Sequence, residues 1–237
     1  MLKLSGCLAV AAAVSVVSLA PATASAQCGD IATSALNIVT ENLVTGNGAP
    51  FFTAAFRFAY DLETSDVRDL WDYYSPSSPT YYEHILNGQY FTATSTLVDA
   101  NNDGIADNIA AGDILVINSS SVAPAYGGHT VVVVGDVKVL SSKQNPITLD
   151  TQWIVPIADQ TGSTHGCLSV GGTNYNDSRG CSSYAAGAAP GTAYMRVYTN
   201  ANGEATAYNW RVNGSHTSYY DQATRPFTFG RVTPCNP

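Results

Sequence analysis

The amino-acid sequence predicts an α+β fold in which N-terminal helices pack on a largely antiparallel β-sheet. Three observations predict it. Apolar residues in the first third recur at helical spacing. After residue 90 the pattern changes to short β-branched runs separated by Gly, Asn and Pro. The chain also has 14 Tyr and 20 Gly but only 12% charged residues, a mix that suits half-buried pleated surface better than a highly charged helical protein.

The elements follow in order. Ile31, Leu36, Ile38, Val39 and Leu43 give residues 29–45 the spacing of an amphipathic helix, with Asp30 or Ser34 near its start and Gly46-Asn47-Gly48 and Pro50 as its stop. Residues 51–74 are rich in aromatics, and a helix is expected over Ser65–Tyr74. A Pro/Ser turn at 75–79 and a short helix over Tyr81–Leu86 come next. Ile114-Leu115-Val116-Ile117 and Thr130-Val131-Val132-Val133-Val134 read as buried strands. Further strands are expected at 136–140, 152–158, 193–199, 205–212 and 226–232, with Asn202-Gly203 as a hairpin turn. No internal repeat or linker divides residues 27–237, which are expected to form a single domain.

Residues 1–26 read as a removable secretory signal. Lys3 charges the start, an apolar run extends from Leu8 to Leu19, and Ala24-Ser25-Ala26 forms the exit. The run is short and rich in Ala and Ser, unlike a membrane anchor, and no later stretch could span a bilayer. Leu4-Ser5-Gly6-Cys7 resembles a lipoprotein box but has no hydrophobic segment before it. The expected location is therefore secreted or periplasmic. Removing the signal moves the formal charge from -8 to -9, because the segment holds one Lys and no acid. Such an acidic chain is a poor partner for nucleic acid or an anionic membrane, and membrane insertion is not expected.

Five cysteines become four once Cys7 is removed: Cys28, Cys167, Cys181 and Cys235. An even number in an exported chain argues for full pairing. Three connectivities are possible. The favoured one joins Cys167 to Cys181 across a Gly/Asn/Ser-rich loop and Cys28 to Cys235 across the chain ends. His165, Cys167 and Cys181 do not have the spacing of a zinc finger.

Asp99-Ala100-Asn101-Asn102-Asp103-Gly104-Ile105-Ala106-Asp107 has the spacing of a calcium loop. Oxygens at alternate positions can wrap a hard cation, and Gly104 permits the sharp turn. The expected ligands are the side chains of Asp99, Asn101, Asp103 and Asp107 and the Ile105 carbonyl. Ala110 stands where a twelfth, bidentate acid is expected, with Asp113 the nearest substitute. A metal-free Asn/Asp/Gly turn is the alternative. Calcium here would stiffen the approach to the 114–117 strand.

Gly112-Asp113-Ile114-Leu115-Val116, followed by Gly128-His129-Thr130-Val131-Val132-Val133-Val134, resembles the core of NlpC-type and CHAP-type cell-wall peptidases and amidases. Ala158-Asp159-Gln160-Thr161-Gly162-Ser163-Thr164-His165 and the segment from Ala207 to Arg231 extend the resemblance over about residues 50–232. It implies a papain-like fold, His129 as general base, Asp159 as the group that orients the imidazole, and a peptidoglycan-like or other extracellular polymer as partner. A carboxylate that accepts from one ring nitrogen leaves the other free to take a proton.

The family also needs a Cys at a helix start, where the thiol pKa is lowered. The best match to its Asp-Cys-Ser motif is Asp61-Leu62-Glu63, which puts an inert Leu62 in the nucleophile's place. No Cys lies between Cys28 and Cys167. Cys28, before the first helix, and Ser65, at the start of another, are the alternatives, although Ser65 is more simply a helix cap. The expected protein is thus a degenerate member of the superfamily. An active amide or peptide hydrolase and a non-catalytic extracellular binding or matrix protein are the rival expectations.

Overall fold

The computed structural model describes residues 30–233 except 121, 124, 148, 149, 183, 186, 216 and 217. The expected signal segment, Cys28 and Cys235 lie outside the described residues. The helices among them are α1 (Asp30–Thr40), α2 (Ala49–Tyr60), α3 (Thr64–Trp71) and α4 (Ser78–Leu86).

Helix α2 was not foreseen. Its sequence, APFFTAAFRFAY, shows no polar stripe because Phe51, Phe52, Ala55 and Phe56 are all buried, and a helix covered on most sides loses the one-faced periodicity that marks a surface helix. Pro50, expected as a stop for the preceding helix, instead lies in the first turn of α2, where its missing N–H is not needed. Helix α3 starts one residue before Ser65. Glu63, not Ser65, is its cap: the Glu63 amide donates to Asp66 Oδ2 at 2.7 Å. The crowd of aromatics at 51–74 is explained by packing. Phe56 lies 4.6 Å and Tyr81 5.1 Å from Trp71, centroid to centroid, and Phe91 closes the cluster.

The strands are β1 (Phe91–Thr94), β2 (Ile114–Ile117), β3 (His129–Val133), β4 (Lys138–Val139), β5 (Thr151–Thr161), β6 (Cys167–Val170), β7 (Thr173–Asn176), β8 (Ala189–Thr199), β9 (Ala205–Asn209), β10 (Tyr219–Asp221) and β11 (Phe227–Val232). The main sheet runs β1-β11-β2-β3-β5-β8-β9-β10, with β4 on β5, and every pairing in it is antiparallel. β6 and β7 form a separate hairpin. The architecture is therefore α+β.

Alternation along the strands separates two cores. Ile114, Val116, Val132 and Ala158 face the helices. Leu115, Ile117, Val131, Val133, Ile157, Met195 and Phe229 face the other way. The sheet curls around this second core until its ends meet. The Leu97 amide donates to Gly203 O at 2.8 Å, and Gln222 Nε2 reaches both Ala205 O and Phe227 O at 3.1 Å. His129 and Asp159 occupy odd-numbered positions on β3 and β5, so both point to the side of the curled core.

The Gly112-Asp113 turn has a structural role. Buried Asp113 accepts from Arg231 on β11 at 2.7 and 2.8 Å and from the Ala110 amide at 2.8 Å. It ties the start of β2 to its neighbour and does not turn toward the 99–107 loop.

Candidate functional site

β3 and β5 pair at Val132↔Ala158 and Val133↔Ile157. Past that point β5 bonds a different segment. Gln160 O accepts from the Gly48 amide at 3.1 Å, and the Gln160 side-chain oxygen accepts from the Thr45 and Gly46 amides at 2.9 and 3.1 Å. One glutamine thus fixes the turn that leads into α2 against the end of β5 where Asp159 lies.

His129 Nε2 lies 2.7 Å from Asp159 Oδ2. A carboxylate accepts only, so Nε2 is the donor and the lone pair of the neutral ring is on Nδ1. That nitrogen faces the head of α2. A Cβ built on Gly48, which precedes the helix at φ +64°, would lie 2.8 Å from Nδ1. The helix start that confronts the imidazole is therefore Gly48-Ala49, and Leu62 is not there. Leu62 lies between α2 and α3 and packs against the helical core. Ser65 is exposed in the first turn of α3 and makes no bond to His129. No thiol or hydroxyl among the described residues is hydrogen bonded to Nδ1.

Asp159 serves more than His129. His165, fully buried, places Nε2 3.2 Å from the same Oδ2 and Nδ1 2.7 Å from the Trp210 carbonyl. Both of its nitrogens face acceptors; a neutral ring can donate one of these bonds and a protonated ring both. On the other oxygen, Arg179 Nη1 lies 2.9 Å from Asp159 Oδ1. Arg179 in turn grips Asp177 through Nε at 2.9 Å and Nη2 at 3.1 Å, and Asp177 also accepts from the His165 amide at 2.7 Å. Burial pushes the Asp159 carboxyl up, but His165, Arg179 and the His129 bond outweigh it and hold Asp159 well below the usual carboxylate range. Burial pulls Arg179 down, and its two aspartates more than reverse this.

The backbone explains how Arg179 reaches a strand. Asp159 pairs with Gly191 on β8, and a Cβ at Gly191 would come within 2.8 Å of Arg179 Nε. The absent side chain is the channel through which the guanidinium passes. The loop carrying Asp177 and Arg179 is closed by the expected Cys167–Cys181 disulfide, with Cα atoms 5.0 Å apart. With the thiols bonded to each other and His165 bonded to Asp159, these three residues form no metal site.

Trp210 roofs the pair, its ring centroid 4.8 Å from His129 edge-on and 4.1 Å from His165. His129 opens into a cleft of about 520 Å³ that Trp210, Tyr126, Tyr220, Arg211 and Arg225 also line. Sequence reasoning missed His165 as a partner, Arg179, Trp210 and Gly48. Only the run from Asp159 to His165 hinted at one of them.

In the 99–107 loop, Asp99 accepts from the Asp103 and Gly104 amides at 3.0 and 2.9 Å, and Asn101 accepts from the Asp103 amide at 3.0 Å. Asp103 accepts from the Ile105 amide at 2.8 Å and Asp107 from the Ala100 amide at 2.7 Å. Each oxygen keeps a lone pair. Among the described residues, no three acidic, His or Cys side chains come together as a metal cluster.

Fold and site define an α+β protein with a curled antiparallel sheet and a buried imidazole–carboxylate–guanidinium cluster at the floor of a cleft. The chain is 22% identical over 189 residues to the uncharacterized protein R653 of Acanthamoeba polyphaga mimivirus, covering 77% of this chain and 75% of that protein. No family model and no solved structure matches. No helix among the described residues is long and apolar enough to cross a membrane.

Proposed function

We propose that this chain is an exported, degenerate NlpC/CHAP-like protein of papain-like fold that binds an extracellular polymer, peptidoglycan being the first to test, without cleaving it. One observation supports the reading: Nδ1 of a His129 oriented by Asp159 faces Gly48 at the head of a helix, and no thiol or hydroxyl among the described residues is hydrogen bonded to it. General-base chemistry needs an acidic proton within hydrogen-bond reach, and covalent chemistry needs a thiol or hydroxyl there. The scaffold remains suited to holding a ligand, since the cleft is open and its floor is rigid. Purified sacculi test this directly. The chain should sediment with them and release no new amino groups; release that disappears in His129→Ala would contradict the reading.

The rival, an active amidase or peptidase, draws support from the intact His129–Asp159 geometry. It requires a free thiol or an activated hydroxyl beside Nδ1, and Cys28 is the thiol candidate. Alkylation of the mature chain without reduction should label no cysteine if Cys28 is bonded to Cys235. One labelled thiol at Cys28 would favour the rival.

Calcium belongs to the same reading. Asp99, Asn101, Asp103, Asp107 and the Ile105 carbonyl would hold the ion, and its effect would be to stiffen the loop ahead of β2.

A further inference from the structure

We propose that the cleft above His129 takes a small ligand bearing a carboxylate, received by Arg225, with a flat apolar portion against the aromatic wall. This deepens the binding reading above and rests on it. The chain has 18 acids against 10 Lys and Arg, yet the described residues that line the cleft include Arg211 and Arg225 and no acid. Such a reversal of sign within a concave, low-dielectric site selects anions.

Arg225 is the receiving group. Its guanidinium carbon lies 3.8 Å from the ring centroid of Tyr126 and 3.6 Å from that of Tyr220, so aromatic faces cover it from both sides. A guanidinium held in that way has only its in-plane N–H edge left for hydrogen bonds, the geometry that pairs with a planar carboxylate. No carboxylate among the described residues makes an ion pair with it, in contrast to Arg68, Arg179 and Arg231. Its Nε is buried without a hydrogen-bond partner. The neighbouring phenols do not neutralise it. Burial pushes Tyr126 up to about 12 and Tyr208 well above its ordinary value against the opposing pull of the adjacent Arg225, so both phenols stay uncharged near neutral pH. Arg211 is occupied differently: it donates to Cys181 O at 2.9 Å and to Asn213 Oδ1 at 3.3 Å.

Benzoate and benzamide test the proposal, because they share shape and differ in charge. Trp71 and Trp153 are buried, so fluorescence changes on titration report mainly on Trp210 in the cleft wall. Benzoate should bind the unaltered chain at least ten-fold more tightly than benzamide. Arg225→Met, which keeps the apolar stem, should abolish that preference and leave the weak benzamide binding in place. Equal affinity of the two probes for the unaltered chain would overturn the proposal with no variant needed, as would a charge preference that survives Arg225→Met in a folded protein. Neither result bears on catalysis, whereas amine release from sacculi would sink the non-catalytic reading and leave the anion site standing.

Discussion

A single carboxylate organises the site. Asp159 faces two imidazoles on one oxygen and a guanidinium on the other; it and His165 are fully buried, while His129 borders the cleft. Removing its charge would take the shared carboxylate from both rings and leave Arg179 with Asp177 alone, and breaking such buried pairs costs about 3–5 kcal/mol. Asp159→Asn is therefore expected to lower unfolding free energy at neutral pH by that order, as measured by urea denaturation. The pH dependence has a fixed sign. Asp159 is depressed in the folded protein, so its stabilising contribution is complete above the unfolded value of about 3.9 and is lost as pH falls through the lower folded value. Acid should thus destabilise the chain below about pH 4, and Asp159→Asn should make that part of the stability curve shallower. Of this residue-level picture, the contact of His129 with Asp159 was legible, because a His that opens one strand and an acid on the strand paired with it can meet on one face of the sheet. His165 and Arg179 were not. Their bonds cross a hairpin and pass over Gly191, and no local spacing announces a channel made by a missing Cβ.

At the scale of elements, the position of α2 decides what the site can do. Its N-terminus is fixed by Gln160, and the resulting geometry brings Gly48 to His129. The sequence hid this because α2 is apolar on nearly every side, and the Asp61-Leu62 match drew attention to the segment between α2 and α3, where Leu62 packs against the helical core, and away from Gly48. The later strands at 114–117, 193–199 and 226–232 were legible because β-branched and aromatic runs bounded by turns leave few alternatives. β6, β7 and β10 are short, exposed or half-buried, and lack that signal. The hairpin of β6 and β7 matters through its disulfide. Cys167 and Cys181 are 14 residues apart, and closing a loop of about that length is worth roughly 3 kcal/mol in the unfolded chain. Reduction is expected to lower the melting temperature and to loosen Arg179 from Asp159. Mild reduction followed by carboxyl-resolved NMR should show Asp159 titrating closer to the ordinary carboxylate range; an unchanged titration would mean that Arg179 is held without the bridge.

The two larger cores lie across one sheet, the helical core on one face and the curled core on the other, and a smaller cluster of Leu140, Ile154 and Val212 packs under the β6–β7 hairpin. The site lies where the curl leaves β3 and β5 incompletely paired, and the connecting segments that carry Tyr126, Tyr184, Arg211 and Arg225 complete the cleft. The broad α+β plan was readable from the switch in periodicity near residue 90, but the closure was not, since it depends on contacts as distant as Leu97 with Gly203. The 99–107 loop lies just ahead of β2, and Ile105 bridges to Lys138. Calcium there should raise the melting temperature of the entire molecule, read by comparing thermal unfolding in millimolar calcium with a chelator. Coincident curves would remove the metal from the account.

The central claim is that His129 donates from Nε2 to Asp159 and turns Nδ1 toward a glycine, with no thiol or hydroxyl bonded to it among the described residues. Long-range ¹H–¹⁵N correlation of the imidazoles tests it most directly, at a pH where the ring is neutral. The account requires protonated Nε2 and bare Nδ1 for His129, with the Nε2 proton shifted or lost in Asp159→Asn. A His129 ring protonated at Nδ1, or one indifferent to Asp159→Asn, would contradict it.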